Sequence, residues 1–412
     1  MTVILQKDRE ILREVARQQL EAANSEKNLA RVELWKRHND FRGERPIVHV
    51  ELDTFEQEVI PQRLRCESEE GRALETALYR NFLNLTLFDD DWVVPDYFPV
   101  YWHAGFTPFG HAIKRTFASG ENAVGHHFEY LVSDLEDDWD KVGKSTWGVD
   151  RAGTQADFDR AQEIFGDILP PRMVMNGLYA VPTQDVVHLM GMENMCFAMY
   201  DYPELFHKMM DQLTDDYLEY FDFLAKEKLL LPTTGHQIVG QGSRCFTTEL
   251  PSDSVSGPGD VWGFMDSQET VSISPDMYGE FIFPYYKKVA ERYGLLSYGC
   301  CEPVDPVWKY VGTLENLRKV SCSPWCNEEV MGENLRGRRT IFHRKPSPNF
   351  LGVGETLDEE GLREHIRKTL RAAQGCELEF TQRDVYTINH DEEKVRRFIA
   401  IIREEIANHW KP

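Results

Sequence analysis

Ser274-Pro-Asp-Met-Tyr-Gly-Glu-Phe-Ile-Phe-Pro-Tyr-Tyr-Lys-Lys-Val-Ala-Glu-Arg292 leads directly into Tyr293-Gly-Leu-Leu-Ser-Tyr-Gly-Cys-Cys-Glu-Pro303. Ser274 and Pro275 are start signals for a helix, the serine as cap and the proline suited to a first turn. The helix is expected to end by Arg292, and the short apolar run 295–298 reads as a buried strand. A second pair follows at once, a helix at 306–310 and a strand at 317–322.

The alternation extends in both directions. Downstream come a strand at 340–343, a helix at 358–375, a strand at 377–380 and a terminal helix at 392–409. Upstream, strands are expected at 46–52, 97–102 and 172–176. Helices are expected at 70–87 and 154–168, as two short helices broken at Gly191 within 183–200, and as a long amphipathic helix at 202–228. Residues 104–111 read as a loop. Repeated helix-then-strand order calls for parallel strands joined by crossover helices. No low-complexity linker divides the chain, and no Gly-x-Gly-x-x-Gly turn marks a dinucleotide-binding sheet. The expected fold is α/β, a single (β/α)8 TIM barrel over 46–412. A helical arm over 1–45 precedes it, with Leu12, Val15, Leu29 and Val32 at helical intervals, and makes a homodimer a reasonable expectation.

Among the 412 residues, 46 Lys and Arg stand against 69 Asp and Glu, a formal charge of −23. Such a field repels phosphate backbones and anionic lipid, which argues against nucleic acid and membrane surfaces and leaves a small-molecule substrate. The first residues lack the pattern of a signal peptide, and no apolar run approaches the roughly 18–20 residues of a membrane span. Eight cysteines in such a chain are expected as reduced thiols in a cytoplasmic protein.

Cys300, Cys301 and Glu302 follow one expected strand. Cys322 and Cys326, in Ser321-Cys-Ser-Pro-Trp-Cys-Asn327, end the next. Barrel enzymes keep their chemistry at the carboxyl ends of strands. Thiolates and carboxylates are ligands that zinc selects, and a zinc ion with an open position is a Lewis acid. Cys300, Cys301, Glu302 and Cys326 are therefore the expected metal ligands. The plainer alternative makes the cysteines small core hydrophobes and Glu302 a helix cap. Neighbours on an extended segment point to opposite faces, so which of Cys300 and Cys301 faces a cavity stays open. His343, Asp266 and His103 are candidates to move a proton, each against an ordinary structural role. Arg383, Tyr298 and Trp325 are candidates to hold substrate.

Gly191-Met-Glu-Asn194 with Tyr200-Asp-Tyr-Pro-Glu-Leu-Phe-His-Lys-Met-Met-Asp211, and the Ser274–Lys287 segment, resemble stretches of the uroporphyrinogen decarboxylase superfamily. The resemblance covers about 172 to the carboxyl terminus and implies a single (β/α)8 barrel. The arginine-rich amino-terminal motif of the true decarboxylases is absent. Corrinoid-dependent methyltransferases of that superfamily hold zinc through His-x-Cys at a strand end and a distant cysteine. Here Cys300 matches the cysteine, Tyr298 stands at the histidine, and no cysteine lies near Thr381-Gln-Arg-Asp384. Cys301, Glu302, Cys322 or Cys326 would complete a different ligand set. The resemblance implies a methyltransferase-like enzyme that moves a methyl group between a corrinoid protein and a small partner, with thiolate-ligated zinc as Lewis acid. The alternatives are a metal-free decarboxylase or lyase, and a noncatalytic partner of a corrinoid protein.

Overall fold

The computed structural model describes residues 4–117 and 125–411. Its centre is a seven-stranded parallel sheet, laid down by the helix-strand alternation read above. We number nine strands: β1 (Ile47–Val50), β2 (Phe98–Tyr101), β3 (Pro171–Val174), β4 (Leu178–Ala180), β5 (Trp262–Met265), β6 (Leu295–Tyr298), β7 (Leu317–Cys322), β8 (Ile341–Arg344) and β9 (Leu378–Gln382). The sheet runs β1-β9-β8-β7-β6-β5-β4, so chain neighbours are sheet neighbours and the first strand pairs with the last. β2 pairs in parallel with β3, only three residues ahead of β4. The free edge of β1 is met by Asp90 and Asp91. Val50 N–H donates to Asp90 Oδ2 at 2.9 Å, Val48 N–H to Asp91 Oδ2 at 2.8 Å, and Asp91 N–H to Val48 O at 2.8 Å. A mixed α/β fold of this order is consistent with a TIM-barrel-like architecture.

Strand parity divides the sheet. Val48, Val50, Phe380, Phe342, Val320, Tyr298, Met265 and Ala180 share one face in register and belong to the main apolar core. The other face is polar: His49, Thr381, Glu379, His343, Ser321, Lys319 and Ser297, all buried. Lys319 Nζ lies 3.0 Å from Glu379 Oε2, whose carboxylate also receives His38 Nε2 at 3.0 Å and faces His343 Nδ1 at 3.3 Å. Lone buried charges are costly, and here opposite charges share one network.

The amino-terminal helices, Gln6–Ala23 and Glu26–Asn39, lie against this same body. Gln19 Nε2 donates to the carbonyls of Pro95 and Tyr97 at 3.0 Å each, and Asn39 Nδ2 to those of Arg244 and Phe246 at 2.9 and 2.7 Å. Trp35 is fully buried and donates to Asp91 O.

Two expectations are corrected. Residues 104–111 are not simply a loop, because His103–Thr107 pairs antiparallel with Thr146–Asp150. Phe106 sits opposite Trp147, ring centroids 6.2 Å apart, and a cross-strand partner forty residues away leaves no local signal. The short strand β5 likewise carries no sequence signal, since Trp262-Gly-Phe-Met265 has no alternation to show. The break at Gly191 is real, with φ +81° between two helices.

Candidate active site

Just past the carboxyl ends, strand after strand brings polar residues toward a common region. Glu51 follows β1, Asp266 follows β5, Cys300 to Glu302 follow β6, Lys345 follows β8, and Arg383 with Asp384 follow β9. Gly299 makes the turn after β6 with φ +96°. A Cβ there would stand 3.1 Å from Ser321 Cβ, so the approach to β7 needs glycine. Glu302 then clasps the turn, its two oxygens accepting the N–H groups of Cys300 at 2.8 Å and Ser267 at 3.0 Å. The result aims both thiols the same way, with Sγ atoms 3.5 Å apart.

Cys300 is buried and Cys301 half-buried. Cys301 Sγ also lies 3.6 Å from Asp384 Oδ2. Asp384 holds φ +58°, an unfavourable backbone for a residue with a side chain, and such strain clusters at functional sites. Lys345 Nζ donates to Cys300 O and Gln241 Oε1, both at 2.7 Å, and forms no ion pair among the described residues. Arg383 Nε is 3.1 Å from Glu51 Oε2 and 3.4 Å from Asp384 Oδ1, while its Nη1 is buried without a partner.

Charge in this cluster is unevenly held. The hydrogen bond from Cys300, helped by Lys345 and Arg383, brings the Cys301 thiol below its ordinary range despite burial and Asp384. The same bond and burial push Cys300 up, so Cys300 keeps the proton. Burial, then Glu302 and Cys300, push the Asp266 carboxyl well up, and its Oδ1 is buried without a partner. Burial lowers Lys345. A thiol inclined to ionise therefore shares a site with a carboxyl inclined to stay protonated. Cys301 and Glu302 open onto a cavity of about 870 Å³, whose wall also includes Gln268, Glu269 and His188, with Trp325 on the rim, 76% exposed.

Other expected residues lie elsewhere. Tyr298 faces the apolar side of β6, its hydroxyl bonded to those of Ser267 and Tyr278 at 2.7 Å each, so it is not presented to the cavity. His343 is on the polar face but enclosed, bonded to Thr381 Oγ1 at 2.9 Å. Burial lowers it to about 3, so it is a neutral core histidine. His103 pairs with Asp157 at 2.9 Å on the antiparallel hairpin and lines neither this cavity nor the next. Cys326 turns to Asp305 Oδ1 at 3.1 Å and, with Cys322, packs in the apolar core.

The four expected zinc ligands are therefore not assembled. Glu302 is spent on backbone N–H groups, and Cys326 belongs to another neighbourhood. Among the described residues no group of three or more His, Cys, Asp or Glu is placed to hold a metal ion. These residues do not fit a zinc centre.

Sequence reasoning missed Lys345, Glu51 and Gln241. Lys345 carries a signal, a lysine immediately after a strand ending Phe-His-Arg.

No protein-family model matches the chain, and no curated protein matches it by sequence. Among solved structures it is similar to a methyltransferase from Methanosarcina mazei. The TM-score is 0.50 and the identity 13%, over 91% of this chain and 98% of that one. At that identity the likeness bears on the fold. Among the described residues no helix is long and apolar enough to cross a membrane.

Proposed function

We propose that the chain is an enzyme of methyl transfer in which Cys301 is the nucleophile. The observation that carries this reading is the Cys301 thiol on the cavity wall, hydrogen-bonded by a second thiol and faced by Lys345 and Arg383. Thiolates, not thiols, are nucleophiles, and neighbouring cations favour them. The likeness to a methyltransferase agrees with the reading. We also take the parallel sheet and the β2–β3 pair as one closed (β/α)8 barrel of the uroporphyrinogen decarboxylase type, spanning 46–412, with residues 1–45 as an arm across it.

In this mechanism a small methylated donor enters the cavity and Cys301 sulfur attacks its methyl carbon. An S–C bond forms, the bond from carbon to the donor atom breaks, and the bonding pair stays on the donor. Asp266, kept protonated, places a proton on that atom, and Lys345 stabilises the carboxylate left behind. A corrinoid protein, as partner, would deliver or remove the methyl group. No step passes through zinc.

Lys345 favours a second reading. A buried ammonium with no carboxylate partner suits a substrate carboxylate, as a metal-free carboxy-lyase requires. One experiment separates the two: incubation with free methylcobalamin and with simple methylated amines and thioethers, followed by peptide mass mapping. The methyl-transfer reading expects one added methyl on the peptide carrying Cys301, lost in Cys301→Ser. Absence of that mass with every donor, in folded protein, overturns it and leaves the lyase.

A further inference from the structure

A second cavity, of about 410 Å³, opens at the carboxyl ends of β2 and β3. Its wall is aromatic: Tyr101 and Trp102 at the end of β2, Phe106 from the hairpin, and Tyr217 and Tyr220 from the helix Pro203–Lys226. Phe106 lies 4.4 Å from Tyr217 and 5.3 Å from Tyr220, centroid to centroid. Into this wall the first turn of the helix Pro182–Met190 brings one carboxyl, Asp185. Its Oδ2 accepts from the Tyr217 hydroxyl at 2.5 Å, and its Oδ1 has no hydrogen-bond partner among the described residues.

Asp185 also lacks a counterion. Burial, then Glu269, pushes it up to about 7, opposed by the Tyr217 hydrogen bond, and no cation contributes. The nearby guanidinium groups are engaged elsewhere. Arg151 sits 5.5 Å over the Trp102 ring and pairs with Glu227 at 3.1 Å, and Arg244 sits 3.7 Å over the Trp92 ring. A lone carboxyl among ring faces, in a chain of net charge −23, is matched by a cation with an apolar surface. One carboxylate is too few for a metal ion, and the rings offer too few donors for a phosphate or sugar.

We propose that this aromatic cavity binds a methylated organic ammonium ion, with the rings of Tyr101, Trp102, Phe106, Tyr217 and Tyr220 around the cation and Asp185 as its counterion. The site is separate from Cys301 and does not depend on the methyl-transfer reading. Asp185 is the residue that gives selectivity for charge. Its proton competes with the ligand, so binding tightens as pH rises through about 7.

The test is calorimetric titration with choline and with its neutral isostere, in which a tert-butyl group replaces trimethylammonium. Choline is expected to bind at least about tenfold tighter than the isostere. Asp185→Asn is expected to remove that preference while leaving isostere binding unchanged, and choline binding near pH 7 should release a proton to buffer. Equal affinity for both compounds, binding of neither, or an Asp185→Asn variant that still prefers choline would each overturn the proposal. A normal circular dichroism spectrum of the variant shows that its loss of binding is local.

Discussion

At the scale of single residues, Cys301 and Cys300 show how one covalent neighbour changes another. Both are thiols on one turn, yet the hydrogen bond between them pushes Cys300 up and brings Cys301 down. Iodoacetamide at neutral pH should therefore alkylate Cys301 at least about tenfold faster than any of the other seven cysteines. Lys345→Met, which removes a facing cation, should slow that reaction severalfold with little change in melting temperature. Peptide mapping over time reads both rates. Uniform labelling of several thiols, or no effect of the lysine, would remove Cys301 from the nucleophile's role. Glu302 gives a second residue-level test. Glu302→Ala leaves the N–H groups of Cys300 and Ser267 without partners, at a cost of about 2–4 kcal/mol for two buried donors. Glu302→Gln keeps an acceptor and should lose less, measured by urea unfolding. Equal losses would mean the clasp is not what holds the turn.

At the scale of elements, legibility followed locality. Most of the run from 274 to 409 was readable, the helix Glu328–Leu335 excepted, because short buried strands alternate there with helices that carry start signals such as Ser274 and Asp358. The structure keeps 295–298 and 317–322 as read. Residues 103–107 and 146–150 were not, since those two strands pair antiparallel with each other across about forty residues of chain. The site was legible in part for a related reason. Positions just past a strand are predictable once the strand is, which marked Cys300–Glu302 and Arg383. Which side chain faces which neighbour depends on parity between strands, and that put Tyr298 on the wrong side of the sheet and Cys326 in the core. The amino-terminal helices were also read correctly as helices, though their ties to the sheet were invisible. Those ties carry a prediction. Trp35, fully buried beside Val93 and Phe246, should cost about 3–5 kcal/mol when cut to alanine. Chemical unfolding measures it, and a loss below about 1 kcal/mol would show the helical pair to be a loosely held appendage.

At the scale of the whole molecule, the polar face of the sheet ties stability to pH. Glu379 is the hub: buried with Lys319, His343 and His38, it is held well below the usual carboxylate range, its own burial outweighed by the Lys319 charge and the hydrogen bond to His38. His38 comes from the amino-terminal helices, and Glu377 also binds its Nδ1 at 3.1 Å. Burial opposes its charge, but the hydrogen bonds to Glu377 and Glu379 win and raise it. A base raised on folding contributes stability that is complete below its unfolded value, about 6.5, and lost as pH climbs through the folded value. His343 has the opposite sign. Burial lowers it to about 3, so the unfolded chain takes up a proton that the folded one refuses, and stability falls as pH drops from about 6.5 toward 3. Of these two histidines, His38 takes stability away as pH rises above about 6.5 and His343 takes it away as pH falls below. His38→Gln separates them, because it removes only the alkaline limb. The melting temperature of wild type minus that of His38→Gln should be largest at or below pH 6 and shrink steadily toward pH 9, while the acid limb of both proteins keeps the same shape. A difference that stays constant with pH would mean that His38 is neutral in the folded protein and gives the arm no charged tie to the sheet.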